Sequence, residues 1–408
     1  MAAPHPERRA LVVGGSLGGL FAANLLLRAG WDVHVYERVG EELAGRGAGI
    51  VTHPGLFAAL ARAGVAADAV VGVPVPGRVT LDSEGRVLGE LPLEQVLTSW
   101  GRLYQLLKDV FPPQRYHSGC ALTAVEQGAA TVTAHFADGR AAVGALLIGA
   151  DGIRSTVRAQ FLPGVKPQYP GYIAWRGMVE EGALTPSTHA MLFERFGFCL
   201  PPREQMLGYP VAGGGNSVQP GKRRYNFVWY RPADETGELP RLLTDASGQA
   251  HELTIAPNLI RPECIAAMRA AAESLLAPQF AEIVRLTAQP FFQPIYDLES
   301  PQLVFGRVAI LGDAAFVARP HVGMGVTKAA DDALALVDAL AAAGDASPGA
   351  LAAFEARRLR FGNAVIARAR RLGAYMQAQI KSPAEREMAE RYRTPEAVMA
   401  ETAVSVAL

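Results

Sequence analysis

Between Ala10 and Tyr36 the chain reads ALVVGGSLGGLFAANLLLRAGWDVHVY, and the spacing of its apolar positions changes twice. The apolar run Ala10 to Val13 predicts a buried strand. Glycines then break the run, apolar residues recur at helical spacing to about Gly30, and alternation from Asp32 to Tyr36 predicts a second strand. This is a βαβ unit. Two later apolar strands, ALLIG and RVAIL, run into Asp151-Gly152 and Gly312-Asp313. From Tyr172 to about Leu298 the helical pattern thins and strands dominate, in YIAWRGMV, AMLFERFGFCL, MLGYPVAG and RRYNFVWYR. In the last of these Tyr225, Phe227 and Trp229 share one face. One helical stretch, RPECIAAMRAAAESLL, interrupts the strands and is expected to pack on the outer side of their sheet. The run Leu351 to Ile380 predicts helices, and the last dozen residues are expected to fray.

This order of elements predicts an α/β fold, with a Rossmann-like nucleotide-binding domain interleaved with a mostly antiparallel β-sheet domain. The first takes residues 1–75, 98–165 and 299–350, the second 76–97 and 166–298, and 351–408 form C-terminal helices and a tail. The 408 residues are half hydrophobic, enough to bury a large core. Basic and acidic residues cancel at 39 each, which argues against nucleic acid or an anionic membrane as partner and for small molecules. Three scattered cysteines, Cys120, Cys199 and Cys264, read as reduced thiols without metal-ligand spacing. The start MAAPHPERRALVVGG carries no apolar export segment, and no run is long enough to span a membrane, so a cytoplasmic protein is expected.

The first turn carries most of a dinucleotide fingerprint. Gly14 and Gly19 hold its outer glycine positions, Ser16 stands where the middle glycine belongs, and Leu17 opens the helix whose N-terminus favours a pyrophosphate. Glu37, followed by Arg38, ends the second strand where an acid accepts ribose hydroxyls. NAD and FAD both satisfy this unit, and a Gly-rich turn also forms simply to pack helix on strand. Three strand-end acids exceed what a nicotinamide site needs. A longer hydroxylated cofactor, FAD, accounts for all three: Glu37 at the ribose, Asp151 beside the pyrophosphate, Asp313 at the ribityl chain.

With GADGIRSTVR and GDAAFVARPHVGMGVTKAADDALAL added to the fingerprint, the chain resembles the class A flavoprotein aromatic hydroxylases, FAD monooxygenases of the para-hydroxybenzoate hydroxylase type. YIAWRG, RRYNFVWYR and PFFQPIYDL look most like the 2,6-dihydroxypyridine 3-monooxygenase group. The resemblance implies that the loop after Asp313 wraps the pyrimidine edge of the flavin. Gly323, Gly325, Val326 and Thr327 would then present backbone to the ring, with the helix N-terminus facing flavin N1 and the C2 carbonyl. RGAGIVTHPG resembles the segment along the ring, with Gly49 the close contact; Arg46 either reaches the phosphates or is solvated. Phe316 and Thr327 stand where the family commonly has His and Asn. Trp100 stands where it has Arg, leaving Arg102 or Gln105 as the substitute cofactor contact.

The activity implied is hydroxylation of an electron-rich hydroxylated aromatic, foremost a hydroxypyridine or dihydroxypyridine, by O2 through a flavin C4a-hydroperoxide. NADH or NADPH would visit transiently, because the chain has one fingerprint. Candidates to meet the ring or its protons are His53, His321, the Pro320 carbonyl and Tyr209. Both histidines also read as structural hydrogen-bonders and Tyr209 as a packed strand residue. Arg176 or Arg319 alone could hold a carboxylate. A phenolic substrate, a flavin-fold protein that shelters an aromatic without oxidising it, and a flavin-free dehydrogenase stay open. So does the oligomeric state, a homodimer included. No metal is expected.

Overall fold

The computed structural model describes residues 8–41, 43, 49–376 and 382–405. Arg46 lies outside them. The apolar runs at Arg9–Val13, Leu146–Gly149 and Val308–Ile310 converge as central strands of one six-stranded sheet. Its order is Val304–Phe305, Val308–Ile310, Leu146–Gly149, Arg9–Val13, Asp32–Tyr36 and Tyr116–His117. All neighbours are parallel except the first pair, with Val12 opposite both Val35 and Ile148. Such runs lack alternation because both faces are covered. On one face the helices Leu17–Arg28 and Gly325–Ala343 meet where Gly18 leaves room for the Ala329 methyl. A three-stranded antiparallel sheet, Leu122–Gln127, Val132–Phe136 and Ala141–Gly144, precedes the strand into Asp151.

A second sheet of eight strands runs in the order Phe291–Pro294, Tyr172–Glu180, Arg224–Pro232, Gln205–Val211, Phe196–Cys199, Val73–Leu81, Val87–Ser99 and Gly49–Val51. Its pairs are antiparallel except Phe196–Cys199 with Val73–Leu81. Period two divides its faces. Trp175, Tyr225, Phe227 and Trp229 pack with Cys264, Met268, Phe280 and Ile283 of the helices Pro262–Leu275 and Pro278–Leu286. Ala174, Leu207, Tyr209, Val228 and Tyr230 point the other way. The aromatic stripe therefore faces the outer helices, and the residues between its members face the interior that matters for chemistry. In AMLFERFGFCL only Phe196–Cys199 is strand, because Thr185 and Pro186 start helical turns that extend to Phe193.

Residues 397–405 correct the expectation of fraying. Pro395–Glu401 is a helix, and buried Arg78 donates to the carbonyls of Met399 and Thr402, both at 2.6 Å. Gln95 Nε2 donates to the Ala403 carbonyl at 2.9 Å. Chain ends stay ordered when their backbone is bonded in this way. Phe316 is packed into a space left by Gly362, where a Cβ would come within 2.4 Å of the Phe316 ring.

Candidate cofactor and substrate site

Gly14 has φ of +104°, and a Cβ there would lie 2.3 Å from the Ala150 carbonyl oxygen; at Gly19 it would lie 1.8 Å from the Gly14 oxygen. Only glycine closes this turn. Ser16 takes the helix N-cap position without a side-chain cap bond, so its hydroxyl and the first helical N–H groups are free to meet a ligand. Glu37 accepts from the N–H groups of Gly15 at 2.7 Å and Val39 at 2.9 Å, fixing the turn against the second strand. Arg38 beside it is exposed. A residue the sequence reading missed, Tyr116, donates to the Gly15 carbonyl at 3.0 Å. Its ring occupies the space a Cβ of residue 15 would need.

The two acidic turns differ in use. Asp151 accepts from Ser155 Oγ at 2.5 Å and from the N–H groups of Thr156 and Val157 at 2.7 and 3.2 Å, so it caps the short helix Thr156–Phe161. Both carboxylate oxygens thus hold its own segment, and the backbone at Ala150 and Asp151 lies against Gly14 of the fingerprint turn. Burial pushes its pKa up, against those hydrogen bonds. Asp313, by contrast, opens into a cavity. Burial in the surrounding protein raises its pKa, with Lys328 and Arg158 opposing.

Around Asp313 a buried frame holds the backbone. Lys328 Nζ donates to the Gly312 carbonyl at 2.8 Å, and Gly312 N–H donates to Asp332 at 2.9 Å. Arg358 Nε donates to Asp332 at 2.6 Å. Burial disfavours the Asp332 charge, but Lys328 and Arg358 hold its carboxyl below the ordinary range. Arg158 bridges the two acidic turns, donating to the carbonyls of Ile153 and Ala314. Gly312, Lys328 and Asp332 all stood in the quoted motif, the last two as an i,i+4 ion pair at 3.5 Å, and only Arg358 comes from outside it.

The cavity, about 380 Å³, runs from Ser16, Leu17 and Gly18 past Gly152 and Asp313 to Gly323, Gly325 and Val326. It ends among Gly49, Arg176, Tyr209, Tyr230 and Pro320. Gly325 begins the helix whose first N–H groups face this space, while Thr327 is buried behind them. Gly49 N–H donates to Asn226 Oδ1 at 3.0 Å, and a Cβ there would meet Tyr209 Cε2 at 2.5 Å. Burial raises the Tyr209 phenol and pushes Tyr230 up to about 12, so both remain neutral hydrogen-bonding groups.

Neither histidine lines the cavity. His53 Nε2 lies 3.1 Å from the Gly323 carbonyl and Nδ1 3.1 Å from Ser405 Oγ. His321 lies between Gln205 Oε1 at 3.2 Å and Tyr172 Oη at 2.9 Å. With both nitrogens of each ring engaged, the geometry gives these histidines structural positions instead of the catalytic ones considered above. Arg319 forms a buried ion pair with Asp297 at 2.8 Å and is no longer a free carboxylate clamp. Arg102 also departs from expectation: its Nε donates to the Val70 carbonyl at 2.8 Å, away from the cavity, because the helix start turns Trp100 inward instead. Trp100 lines the wall and stacks on Tyr104 at 4.8 Å.

A βαβ fingerprint, a strand-end acid opening into an elongated cavity and a helix N-terminus farther along it define a dinucleotide-dependent α/β enzyme with a substrate sheet over its cofactor. Comparison makes this specific. Residues 7–174 and 298–369 match the family described as FAD binding domain, and 169–297 match a family described as FAD binding domain-like. The chain belongs to the first family, as a FAD-dependent monooxygenase.

Among its relatives, the 2,6-dihydroxypyridine 3-monooxygenase of Paenarthrobacter nicotinovorans is 35% identical, over 90% of this chain and 91% of that one. The 3-amino-4-hydroxybenzoate 2-monooxygenase of Streptomyces cremeus is 30% identical, over 89% and 86%. A solved structure of 2,6-dihydroxypyridine-3-hydroxylase from Arthrobacter nicotinovorans superposes with a TM-score of 0.85 at 33% identity, covering 92% of this chain and 94% of that one. Klebsiella pneumoniae HpxO complexed with FAD and uric acid shares the fold, with a TM-score of 0.76 at 23% identity and coverage of 97% and 93%. Among the described residues no helix is long and apolar enough to cross a membrane, and no group of three or more His, Cys, Asp or Glu could hold a metal ion.

Proposed function

We propose that this monooxygenase inserts one oxygen atom of O2 into a hydroxylated pyridine, foremost a dihydroxypyridine, at a ring carbon beside an existing hydroxyl, with NADH or NADPH as transient reductant. The reading is carried by one cavity that joins the fingerprint turn to a sheet-covered chamber lined by Arg176, Tyr209, Tyr230 and Pro320. The 35% identical relative that bears this substrate in its name supports it.

FAD fits the residues present. The uncapped helix start at Ser16 and Leu17 suits its pyrophosphate, Glu37 and Arg38 the adenosine end, and Asp313 the ribityl hydroxyls. Gly49, Gly323, Gly325, Val326 and Thr327 would surround the ring, the last three through backbone N–H groups. FAD, when bound, supplies electron transfer and oxygen activation. The chain's own part is to orient the substrate ring and to keep water out. Leu207, Val228 and Phe196 form apolar wall, and Thr402 and Ala403 close it from the C-terminal segment. Tyr209 and the Pro320 carbonyl are placed to hydrogen-bond ring hydroxyls.

The test is NADH and NADPH oxidation by the purified yellow protein with 2,6-dihydroxypyridine, 4-hydroxybenzoate and unsubstituted pyridine. Stimulation by the first, with matching hydroxylated product, is expected. Tight binding of an aromatic with no turnover would instead favour a sheltering protein.

A further inference from the structure

On the inner face of the substrate sheet, Arg176 is a cavity-lining charge with no counter-charge among the described residues, whereas Arg78, away from the cavity, is held by the Met399 and Thr402 carbonyls. Arg176 lies on Tyr172–Glu180 directly opposite Val228, and shares a face with Ala174 and Tyr230. It is 9% exposed, it lines the cavity, and its Nε has no partner. Among the described residues it forms neither an ion pair nor a side-chain hydrogen bond, whereas the neighbouring cation Arg319 is neutralised by Asp297. An unpaired buried guanidinium is costly, and proteins keep one where a ligand completes it.

The groups around Arg176 cannot supply the missing charge. Tyr209 and Tyr230 are held neutral by burial. His321, whose ring centre lies 4.2 Å from that of Tyr230, is held neutral by burial and by Arg319 and Arg176. Gln293 and Pro320 are uncharged.

We propose that Arg176 is the specificity-determining receptor for the substrate's negative charge, and that it binds a hydroxypyridine as its monoanion through a ring-borne oxyanion. This rests on the functional reading above and extends it to the ionic form of the substrate. Binding the monoanion selects the more electron-rich form of the ring. The proton leaves to solvent, since among the described residues no base lines this end of the cavity. A planar guanidinium suits an oxygen and a ring nitrogen side by side better than an ammonium does.

The test measures dissociation constants from the perturbed flavin spectrum of the FAD-loaded protein, across the ionisation range of 2,6-dihydroxypyridine. Wild type, Arg176→Gln and Arg176→Lys are compared, with 4-hydroxybenzoate and pyridine as further probes. Flavin content and melting temperature confirm folding. Wild type is expected to bind dihydroxypyridine more tightly as the monoanion forms. Arg176→Gln is expected to lose about ten-fold or more in affinity together with that pH dependence. Arg176→Lys should retain part of both, and pyridine should not discriminate. Equal affinity and pH dependence in wild type and Arg176→Gln would overturn the proposal alone. A loss confined to 4-hydroxybenzoate would overturn the ring oxyanion in favour of a carboxylate. Failure of the wild type to bind dihydroxypyridine would overturn the functional reading and the proposal together.

Discussion

His53 Nε2 and the carbonyl oxygen of Gly323 are 3.1 Å apart, with Ser405 Oγ at 3.1 Å from the other ring nitrogen, so one imidazole joins the cofactor loop to the C-terminal segment. With Nε2–H donating to the carbonyl, Nδ1 accepts from the Ser405 hydroxyl. His53→Ala leaves both groups without this partner, at a cost of about 1–3 kcal/mol. FAD affinity and melting temperature are expected to fall together. A variant that binds FAD normally and melts normally but hydroxylates slowly would restore a catalytic role to His53.

Protonation of the two buried histidines sets an acid limit. Burial holds both below their ordinary 6.5, His321 far below because Arg319 and Arg176 add repulsion. A lowered folded-state pKa means that the unfolded chain takes up the proton first. The contribution is complete above about pH 6.5 and is lost as the pH falls toward the folded-state values. The His321 part of this loss is the larger, because its folded-state value lies farther below the ordinary one. Melting curves between pH 5 and 8 should show the loss, and His321→Gln, if folded, should flatten it. A wild-type melting temperature independent of pH over that range would contradict it.

Removal of the Asp313 carboxylate is expected to yield largely flavin-free protein. The side chain faces the cavity while its turn is held independently by Lys328 and Asp332, so Asp313→Ala should fold. The lost charged hydrogen bonds weaken FAD binding by about 1.5–3 kcal/mol. Flavin-to-protein ratio and FAD titration measure this, and normal stoichiometry and affinity in the folded variant would remove Asp313 from the cofactor site.

The fingerprint was legible because its glycines answer a local steric demand: Gly14 and Gly19 sit against backbone that any Cβ would strike. The acid at 313 was legible from its position at a strand end. The eight-stranded sheet was legible as alternation in Arg224–Pro232, but alternation does not say which face is inward, and Tyr225, Phe227 and Trp229 proved to face the outer helices. His53 and His321 could not be assigned from sequence because their partners, Ser405, Gly323, Gln205 and Tyr172, are more than a hundred residues away. The C-terminal segment misled for the same reason, since Arg78 holds it from the other side of the chain.

Gly49 tests the register between cofactor and substrate sheet. A methyl there would lie 2.5 Å from Tyr209 Cε2 and 2.8 Å from Asn226, forcing the tyrosine into the chamber at a cost of about 1–3 kcal/mol. Gly49→Ala is expected to raise the KM for the aromatic substrate more than it lowers FAD affinity. Unchanged KM would mean that Tyr209 does not border the substrate.

The most direct measurement of the central claim is the fate of oxygen in a single reaction: FAD-loaded protein, NADH, isotopically heavy O2 and 2,6-dihydroxypyridine, analysed by mass spectrometry. The account requires one heavy oxygen atom in each product molecule and about one product per NADH consumed. NADH consumption that yields only hydrogen peroxide and unchanged dihydroxypyridine would contradict it.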